Sequence, residues 1–166
     1  IHREILEEIL APFGLDMLDE AERDHLNRAW HRINPWPDSI PGLIRIKRKH
    51  LIAPLSNGSL TLLANMAKRA GIPWDFVFSS DMHKAYKRDP KVYQNAIALL
   101  GMEPHEVMMG AAHNDDLEAA REQGMRTGYI NRPTEYGVDQ TKDFEAETDW
   151  DIIADSAEGL AEALGC

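Results

Sequence analysis

The feature that most constrains the fold of this chain is an alternation, from residue 39 onward, of amphipathic segments of about ten residues with short apolar segments. The amphipathic segments predict helices at residues 39–49, 59–70, 90–100, 115–123 and 156–164. The apolar segments predict buried strands at residues 51–56, 74–79, 106–110, 126–130 and 149–153. This alternation indicates an α/β fold with three layers, in which helices cover both faces of a parallel sheet.

The N-terminal residues follow a different pattern. Ile5, Ile9 and Leu10 lie at helical spacing and predict a first helix, and the apolar residues between about 18 and 33 predict a second one. The sequence Asn-Pro-Trp-Pro at 34–37 must interrupt any helix, because proline lacks the N–H that a helix interior requires. We therefore place a domain boundary there, with one domain at residues 1–34 and the other at residues 35–166.

Composition argues against several classes of function. The chain has 166 residues and a formal net charge of −10, from 18 basic and 28 acidic residues. Such a charge repels nucleic acid and anionic membranes, so we expect neither as a partner. No apolar segment approaches the ~20 residues that span a bilayer. The single cysteine, Cys166, excludes a disulfide framework and fits a reducing cytoplasm.

Ligands of a parallel α/β sheet bind where its strands end, so the segments that follow the strands carry the candidate chemistry. The first is LSNGS at residues 55–59. The hydroxyl of Ser56 and the backbone N–H groups at the start of a helix can hold an anion such as a carboxylate. In isolation the same residues are better explained by a helix cap at Ser59 and a turn at Gly58.

Two further segments follow later strands. In YKRDPKVY, at residues 86–93, Lys87 can reach carboxylates at the strand ends, or it can be a solvated side chain beside the helix-capping Asp89. In GAAHNDD, at residues 110–116, small residues allow close approach of a ligand before an acidic pair opens a helix. Carboxylates are favoured at helix N-termini whatever their role, so capping also explains this pair.

Together, the order and spacing of these segments resemble the haloacid dehalogenase superfamily, and most closely its type II 2-haloacid dehalogenases. The resemblance extends from about residue 16 onward. Three motifs carry the resemblance: LSNG at 55–58, YKPDPxVY at 86–93 with Arg88 in place of the first proline, and the turn and helix at 111–120. Two further segments also match the family, NPWPDSIPGL at 34–43 and INRPTEYG at 130–137. It implies that residues 35–166 form a Rossmann-like core and that residues 1–34 are the remainder of a helical cap domain.

The turn after residue 110 distinguishes the subfamilies. Phosphatases of this superfamily place there an aspartate that binds Mg²⁺, whereas this chain has Ala111, which offers no oxygen to a hard cation. The resemblance therefore implies that no metal and no cofactor takes part. Type II dehalogenases often carry Ser-Ser-Asn where this chain has Ala-Ala-His at 111–113, so His113 is the candidate replacement for a hydrogen-bond donor.

The resemblance also implies an aspartate nucleophile at the end of the first, central strand. None of the fourteen aspartates of the chain lies in the expected Asp-x-x-Gly/Tyr-Thr context. The chain starts at Ile1, within a helical pattern, so we expect the nucleophile and the halide-binding residue to lie upstream. The N-terminal part of the fold would then be missing from this sequence.

The resemblance implies a role for each candidate residue in the hydrolysis of a small 2-halo carboxylate. Ser56 and the N–H of Asn57 would bind the substrate carboxylate. Lys87 would keep the nucleophile ionised, which is a case of a nearby cation lowering a carboxyl pKa. Asp116 would orient Lys87 and the hydrolytic water.

Secondary roles and alternatives remain open at this point. Asn114 and His113 are further substrate-binding candidates, and Tyr93 would support the site through a hydrogen bond. A homodimer through exposed apolar residues of the first 33 positions is a further expectation from the family. One alternative is a Mg²⁺-dependent phosphatase that acts on small phosphate esters, and another is a non-catalytic module.

Overall fold

The structure is a computed structural model that describes residues 2–166. The chain divides into two compact units, and the boundary between them falls after Asn34. The first unit contains helices α1 (His2–Leu10) and α2 (Glu20–Asn27), followed by a 3₁₀ turn at Arg28–Arg32. The second helix, predicted between about residues 18 and 33, is therefore shorter than expected, and its last part is a 3₁₀ turn. The assignment of this unit to a cap domain stays a prediction.

The start of α2 is fixed by a reciprocal pair of hydrogen bonds. Asp19 accepts a hydrogen bond from the backbone N–H of Glu22 at 2.9 Å, and the Glu22 carboxylate accepts one from the N–H of Asp19, also at 2.9 Å. This capping box satisfies N–H groups that have no partner inside the helix.

The second unit alternates strands with helices, as the sequence predicts. Its helices are α3 (Ser39–Lys47), α4 (Leu60–Ala70), α5 (Ser80–His83), α6 (Pro90–Leu100), α7 (Asn114–Glu122) and α8 (Ala157–Ala163), with a 3₁₀ turn at Pro104–Glu106. Its strands are β1 (Leu55–Ser56), β2 (Phe78–Ser79), β3 (Met108–Ala111), β4 (Arg126–Ile130) and β5 (Ile152–Ala154). No helix within residues 2–166 is both long and apolar enough to cross a membrane.

All strand pairs among the described residues are parallel, which confirms the predicted α/β class, but they form two sheets. One sheet has the order β1-β2 and the other β3-β4-β5. The predicted strand at 51–56 is wrong in length, because only its last two residues are in a strand. Pro54 lacks an N–H and cannot donate to a ladder, and Ile52 donates instead to the Asp75 carboxylate at 2.9 Å.

Two apolar clusters lie on opposite faces of the three-stranded sheet. Met109 belongs to the cluster formed mainly by α6, α7 and β4, which includes Val92, Tyr93, Leu117, Ala120 and Tyr129. Its neighbour Met108 packs against the other cluster, formed mainly by α3 and α8. Successive side chains of a strand point to opposite faces, so this alternation confirms the three-layer arrangement.

Candidate active site

The candidate residues lie at or after the ends of β1, β2 and β3, where parallel strands present their carboxyl ends. In the first segment, Ser56 accepts a hydrogen bond from the N–H of Gly58 at 3.0 Å. Ser59 caps α4 by accepting one from the N–H of Leu62 at 3.2 Å. The helix cap considered for this segment is therefore present, at Ser59. The assignment of Ser56 to substrate stays a prediction.

The side chain of Asn57 holds the backbone of Lys87. Its Oδ1 accepts a hydrogen bond from the N–H of Lys87 at 2.6 Å, and its Nδ2 donates to the Lys87 carbonyl at 3.4 Å. These two bonds join the segment after β1 to the loop before α6. The substrate-binding prediction for Asn57 concerns its backbone N–H, and no contact tests it.

Lys87, Tyr93 and Asp116 meet in one hydrogen-bonded group. Lys87 Nζ lies 2.5 Å from Asp116 Oδ2, and the Tyr93 hydroxyl donates to Asp116 Oδ1 at 2.6 Å. The Lys87 and Asp116 side chains are 18% and 8% exposed, so the pair is shielded from bulk water. Burial, and then the hydrogen bond to Asp116, raise the pKa of Tyr93 above its usual range, so its hydroxyl remains a donor.

The local sequence explains how these three side chains are aligned. Pro90 occupies the first turn of α6, and the Asp89 carboxylate accepts a hydrogen bond from the N–H of Lys91 at 2.9 Å. This cap fixes where α6 begins and therefore where Tyr93, one turn further, is buried against α7. Lys87 lies before the first residue of α6, so helical geometry does not constrain its backbone, and its ammonium reaches Asp116.

Asp115 lies beside this group in an ion-pair cluster. It pairs with Arg88 and with Lys142, whose Nζ lies 3.3 Å from its Oδ2. Burial raises the pKa of Asp115, but the hydrogen bond from Lys142 and the charges of Lys142 and Arg88 lower it by a larger amount. The net pKa of Asp115 is therefore below its usual value. The two adjacent aspartates therefore have separate cationic partners.

His113 and Asn114 contact a later stretch of the chain, between residues 135 and 150. His113 Nε2 lies 3.2 Å from Glu135 Oε1 and 3.1 Å from the Tyr136 hydroxyl. Asn114 is 4% exposed, and its side chain is bonded to the stretch 143–150. The role of His113 in substrate binding stays a prediction. The contacts of Asn114 occupy both polar atoms of its amide.

The partners of His113 and Asn114 lie 22 to 36 positions further along the chain, in the long connection between β4 and β5. That connection contains no helix or strand, and its polar residues have no periodicity. Nothing in a local pattern connects Asp143 to Asn114, so the sequence carried no signal for that contact.

The Lys87–Asp116–Tyr93 group favours one kind of chemistry. The Lys87 ammonium is held by the Asp116 carboxylate, which in turn accepts a hydrogen bond from the Tyr93 phenol. At the strand ends of a parallel α/β sheet, such an ammonium can stabilise an anionic group placed next to it. Such an environment suits an enzyme that uses a carboxylate nucleophile.

Comparison with known proteins specifies the family. A model of the haloacid dehalogenase-like hydrolases matches residues 2–124. The chain is 34% identical over 120 residues to (S)-2-haloacid dehalogenase 4A of Burkholderia cepacia, which covers 69% of this chain and 52% of that protein. Two crystal structures match 99% of this chain: the defluorinating L-2-haloacid dehalogenase Rha0230 (48% identity, TM-score 0.95, 68% of that chain) and the L-2-haloacid dehalogenase PA0810 (45% identity, TM-score 0.95, 70% of that chain).

The chain therefore belongs to the haloacid dehalogenase-like hydrolases, as its motifs predict. It spans about half the length of the curated dehalogenase from Burkholderia cepacia.

Proposed function

We propose that this chain is part of an enzyme that hydrolyses 2-haloalkanoic acids to 2-hydroxy acids and halide. The observation that carries the proposal is the Lys87–Asp116–Tyr93 group, in which one ammonium is held at 2.5 Å from a shielded carboxylate. Relatives also support the proposal, because the chain has 34% to 48% sequence identity with three proteins named as 2-haloacid dehalogenases.

The reaction proceeds in two steps. An aspartate oxygen attacks C2 of the substrate, the C–O bond forms, and the halide departs with the electrons of the carbon–halogen bond. Water then adds to the acyl carbon of the resulting ester, the acyl C–O bond breaks, and a 2-hydroxy acid, a proton and the free carboxylate result. Splitting one displacement into two steps is the advantage of nucleophilic catalysis.

The nucleophile in this proposal lies upstream of residue 1, on a strand between β1 and β3. Lys87 keeps that carboxylate ionised through its positive charge. Asp116 orients Lys87 and the hydrolytic water, and Tyr93 fixes Asp116. Ser56 and the N–H of Asn57 bind the substrate carboxylate, while His113 remains a candidate donor at the rim.

The residues around Asp115 fit a metal-independent reaction better than a metal-dependent one. A divalent cation in this region needs oxygen ligands that are not already neutralised. Ala111 supplies no side-chain oxygen, and Asp115 is paired with both Arg88 and Lys142. This chemistry disfavours the alternative of a Mg²⁺-dependent phosphatase.

The test is halide release from racemic 2-chloropropionate by the complete gene product, with EDTA present. We expect chloride and lactate in equal amounts from one enantiomer. Release of phosphate from p-nitrophenyl phosphate that needs added Mg²⁺, without chloride, would establish the phosphatase instead. Absence of both activities in a folded protein would support a non-catalytic module.

Two properties of the whole protein belong to the same proposal. We propose a homodimer, because the first unit exposes large apolar side chains, among them Ile5, Ile9, Phe13, Met17 and Trp30. We also propose a cytoplasmic location, which the single cysteine supports. Light scattering of the purified protein measures the first, and fractionation of cells measures the second.

A further inference from the structure

The side chain of Asn114 is saturated with hydrogen bonds inside the protein. Its Nδ2 donates to Asp143 Oδ1 at 3.1 Å and to the Glu145 carbonyl at 3.0 Å. Its Oδ1 accepts from the N–H of Glu147 and from Trp150 Nε1, each at 3.0 Å. An amide has two donors and two acceptor sites, so no capacity remains for a substrate.

The first turn of α7 has no cap from its own sequence. His113 occupies the N-cap position and makes no capping hydrogen bond with its side chain. The N–H of Asn114 donates instead to Asp143 Oδ1 at 2.8 Å, from 29 residues downstream. A carboxylate at this end of a helix also interacts favourably with the helix dipole. Asp143 therefore replaces the missing cap from outside the helix.

Asp143 contacts Asn114 in an unfavourable conformation and environment. It is 2% exposed and has φ of 55°, a left-handed conformation that favours glycine. Its second carboxylate oxygen, Oδ2, is buried and has no hydrogen-bond partner; Lys142 Nζ lies 3.7 Å away. The Tyr129 hydroxyl donates to its carbonyl at 2.9 Å. Such a residue persists where the surrounding contacts require it.

We infer that Asp143 and Asn114 form a positioning pair, which fixes the first turn of α7 and so holds the Asp116 carboxylate against Lys87. Asp116 lies two residues after Asn114 in that same turn. The pair does not contact the reacting atoms, and it acts through Asp116. This inference rests on the proposed function, in which the position of Asp116 sets the rate of chemistry.

The variant that tests it is Asp143→Gly in the complete gene product. Glycine accepts the left-handed conformation, so the variant removes the carboxylate without adding backbone strain. We expect kcat for 2-chloropropionate to fall roughly 10-fold to 100-fold, as for small misplacements of catalytic groups, with KM unchanged within about twofold. Asp143→Asn retains an acceptor oxygen and should restore kcat to within about threefold of the wild type.

Arg121→Ala is the matched control. Arg121 lies over the ring of Trp150 and donates to the Asp149 carbonyl at 2.6 Å, so its loss loosens the same connection near Trp150, whereas both hydrogen bonds from Asn114 to Asp143 remain. We expect its melting temperature to fall while kcat stays at the wild-type level. An equal loss of kcat in Arg121→Ala and Asp143→Gly, or a wild-type kcat in Asp143→Gly, would overturn the inference.

A second readout does not depend on turnover. Amide hydrogen exchange at residues 114–117 should accelerate in Asp143→Gly, and should stay at the wild-type rate in Arg121→Ala. If the wild-type protein releases no halide, the proposed function fails, and the exchange data alone decide the positioning role. Unchanged exchange at 114–117 in Asp143→Gly would then refute it.

Discussion

The backbone and the side chain of Lys87 are fixed by different partners. Asn57, 30 residues earlier, binds its backbone, and Asp116, 29 residues later, binds its ammonium. Fixing the ammonium of a lysine normally costs much conformational entropy. Here the hydrogen bonds from Asn57 already restrict the backbone of Lys87, so only the entropy of its side chain is lost when the ammonium binds Asp116. The ammonium is therefore in place before a substrate arrives, which is the condition for electrostatic preorganisation.

Replacement of Lys87 by alanine tests this arrangement. We expect Lys87→Ala to reduce halide release at least about 1,000-fold, because Asp116 and the nucleophile then lack their cation. The fold should persist, since Tyr93 still bonds Asp116. Lys91→Ala, at an exposed lysine four residues away, is the control and should be fully active. Halide release measured under identical conditions compares them, and an active Lys87→Ala protein would refute the role of Lys87.

At the residue scale, the sequence predicted the side chains that lie in motifs and missed those that lie between them. Lys87, Tyr93 and Asp116 are brought together as their motifs suggest, although their roles stay predictions. Asp143 was missed because its function depends on one contact across 29 residues, in a stretch without periodicity. Only tertiary structure can specify such a pair.

At the element scale, Asp38 connects the beginning of the second unit to its end. Its Oδ2 accepts hydrogen bonds from Arg132 at 2.7 Å and from the N–H of Ala157, in the first turn of α8, at 2.6 Å. Both charged side chains are mostly buried, at 15% and 13% exposure. Arg132 also lies over the ring of Trp36, 5.0 Å from its centroid. One carboxylate thus joins three distant segments of the chain.

We expect Asp38→Ala to lower the free energy of unfolding by roughly 3 kcal/mol at pH 7, since it leaves a shielded Arg132 without its partner. Burial raises the pKa of Asp38, but the bonds from Arg132 and Ala157 outweigh it, and the net pKa is below the usual value. A lowered folded-state pKa gives stability that is present above the unfolded pKa, near 3.9, and is lost as the pH falls through the folded value.

Urea unfolding at pH 7 and at pH 3 measures this dependence. The difference between the wild type and Asp38→Ala should be largest at pH 7 and should shrink at pH 3. Asp16→Ala, at an exposed aspartate in the first unit, is a suitable control and should have little effect at either pH. A difference that is independent of pH would mean that packing, rather than charge, accounts for the loss.

Helices α3 and α8 pack closely at Gly42. A Cβ atom built there would lie 2.4 Å from the carbonyl carbon of Ala157 and 2.7 Å from its Cβ. We expect Gly42→Ala to destabilise the protein by roughly 1–3 kcal/mol despite the better helix propensity of alanine. Gly159→Ala in α8 is the control, because its Cβ would meet only Ser156 Oγ at 3.3 Å and Ala154 Cβ at 3.5 Å. Thermal unfolding should separate the two variants, and equal melting temperatures would contradict the prediction.

At the same scale, helices were predicted more accurately than strands. Residues 90–100 form a helix and residues 126–130 form a strand as expected, because a proline-led helix start and an isolated apolar segment are local signals. The predicted strands at 51–56 and 74–79 are only two residues long in the structure. Strand length depends on the partner strand, and sequence patterns do not contain that information.

At the scale of the whole molecule, the sheet is in two pieces. Among residues 2–166, β1 pairs only with β2 and β3 only with β4, so one edge of each has no strand partner. Unpaired edges carry backbone N–H and carbonyl groups that favour pairing with another strand. In the proposed function, the strand that carries the nucleophile pairs with both edges and joins the two pieces. Completion of the sheet and completion of the active site are then a single event.

This coupling predicts a difference between the 166-residue chain and the complete gene product. We expect the chain alone to bind the dye ANS and to melt at least about 10 °C lower, because the free edges of β1 and β3 lack the strand that would cover the adjoining core. The complete product that carries Lys87→Ala is the control. It should be inactive but should neither bind ANS nor lose thermal stability, since it retains the strand and lacks only the ammonium. If the 166-residue chain melted at the same temperature as the complete product and bound no dye, the sheet would be complete without an upstream strand. The nucleophile would then have to be sought among the aspartates of the chain itself.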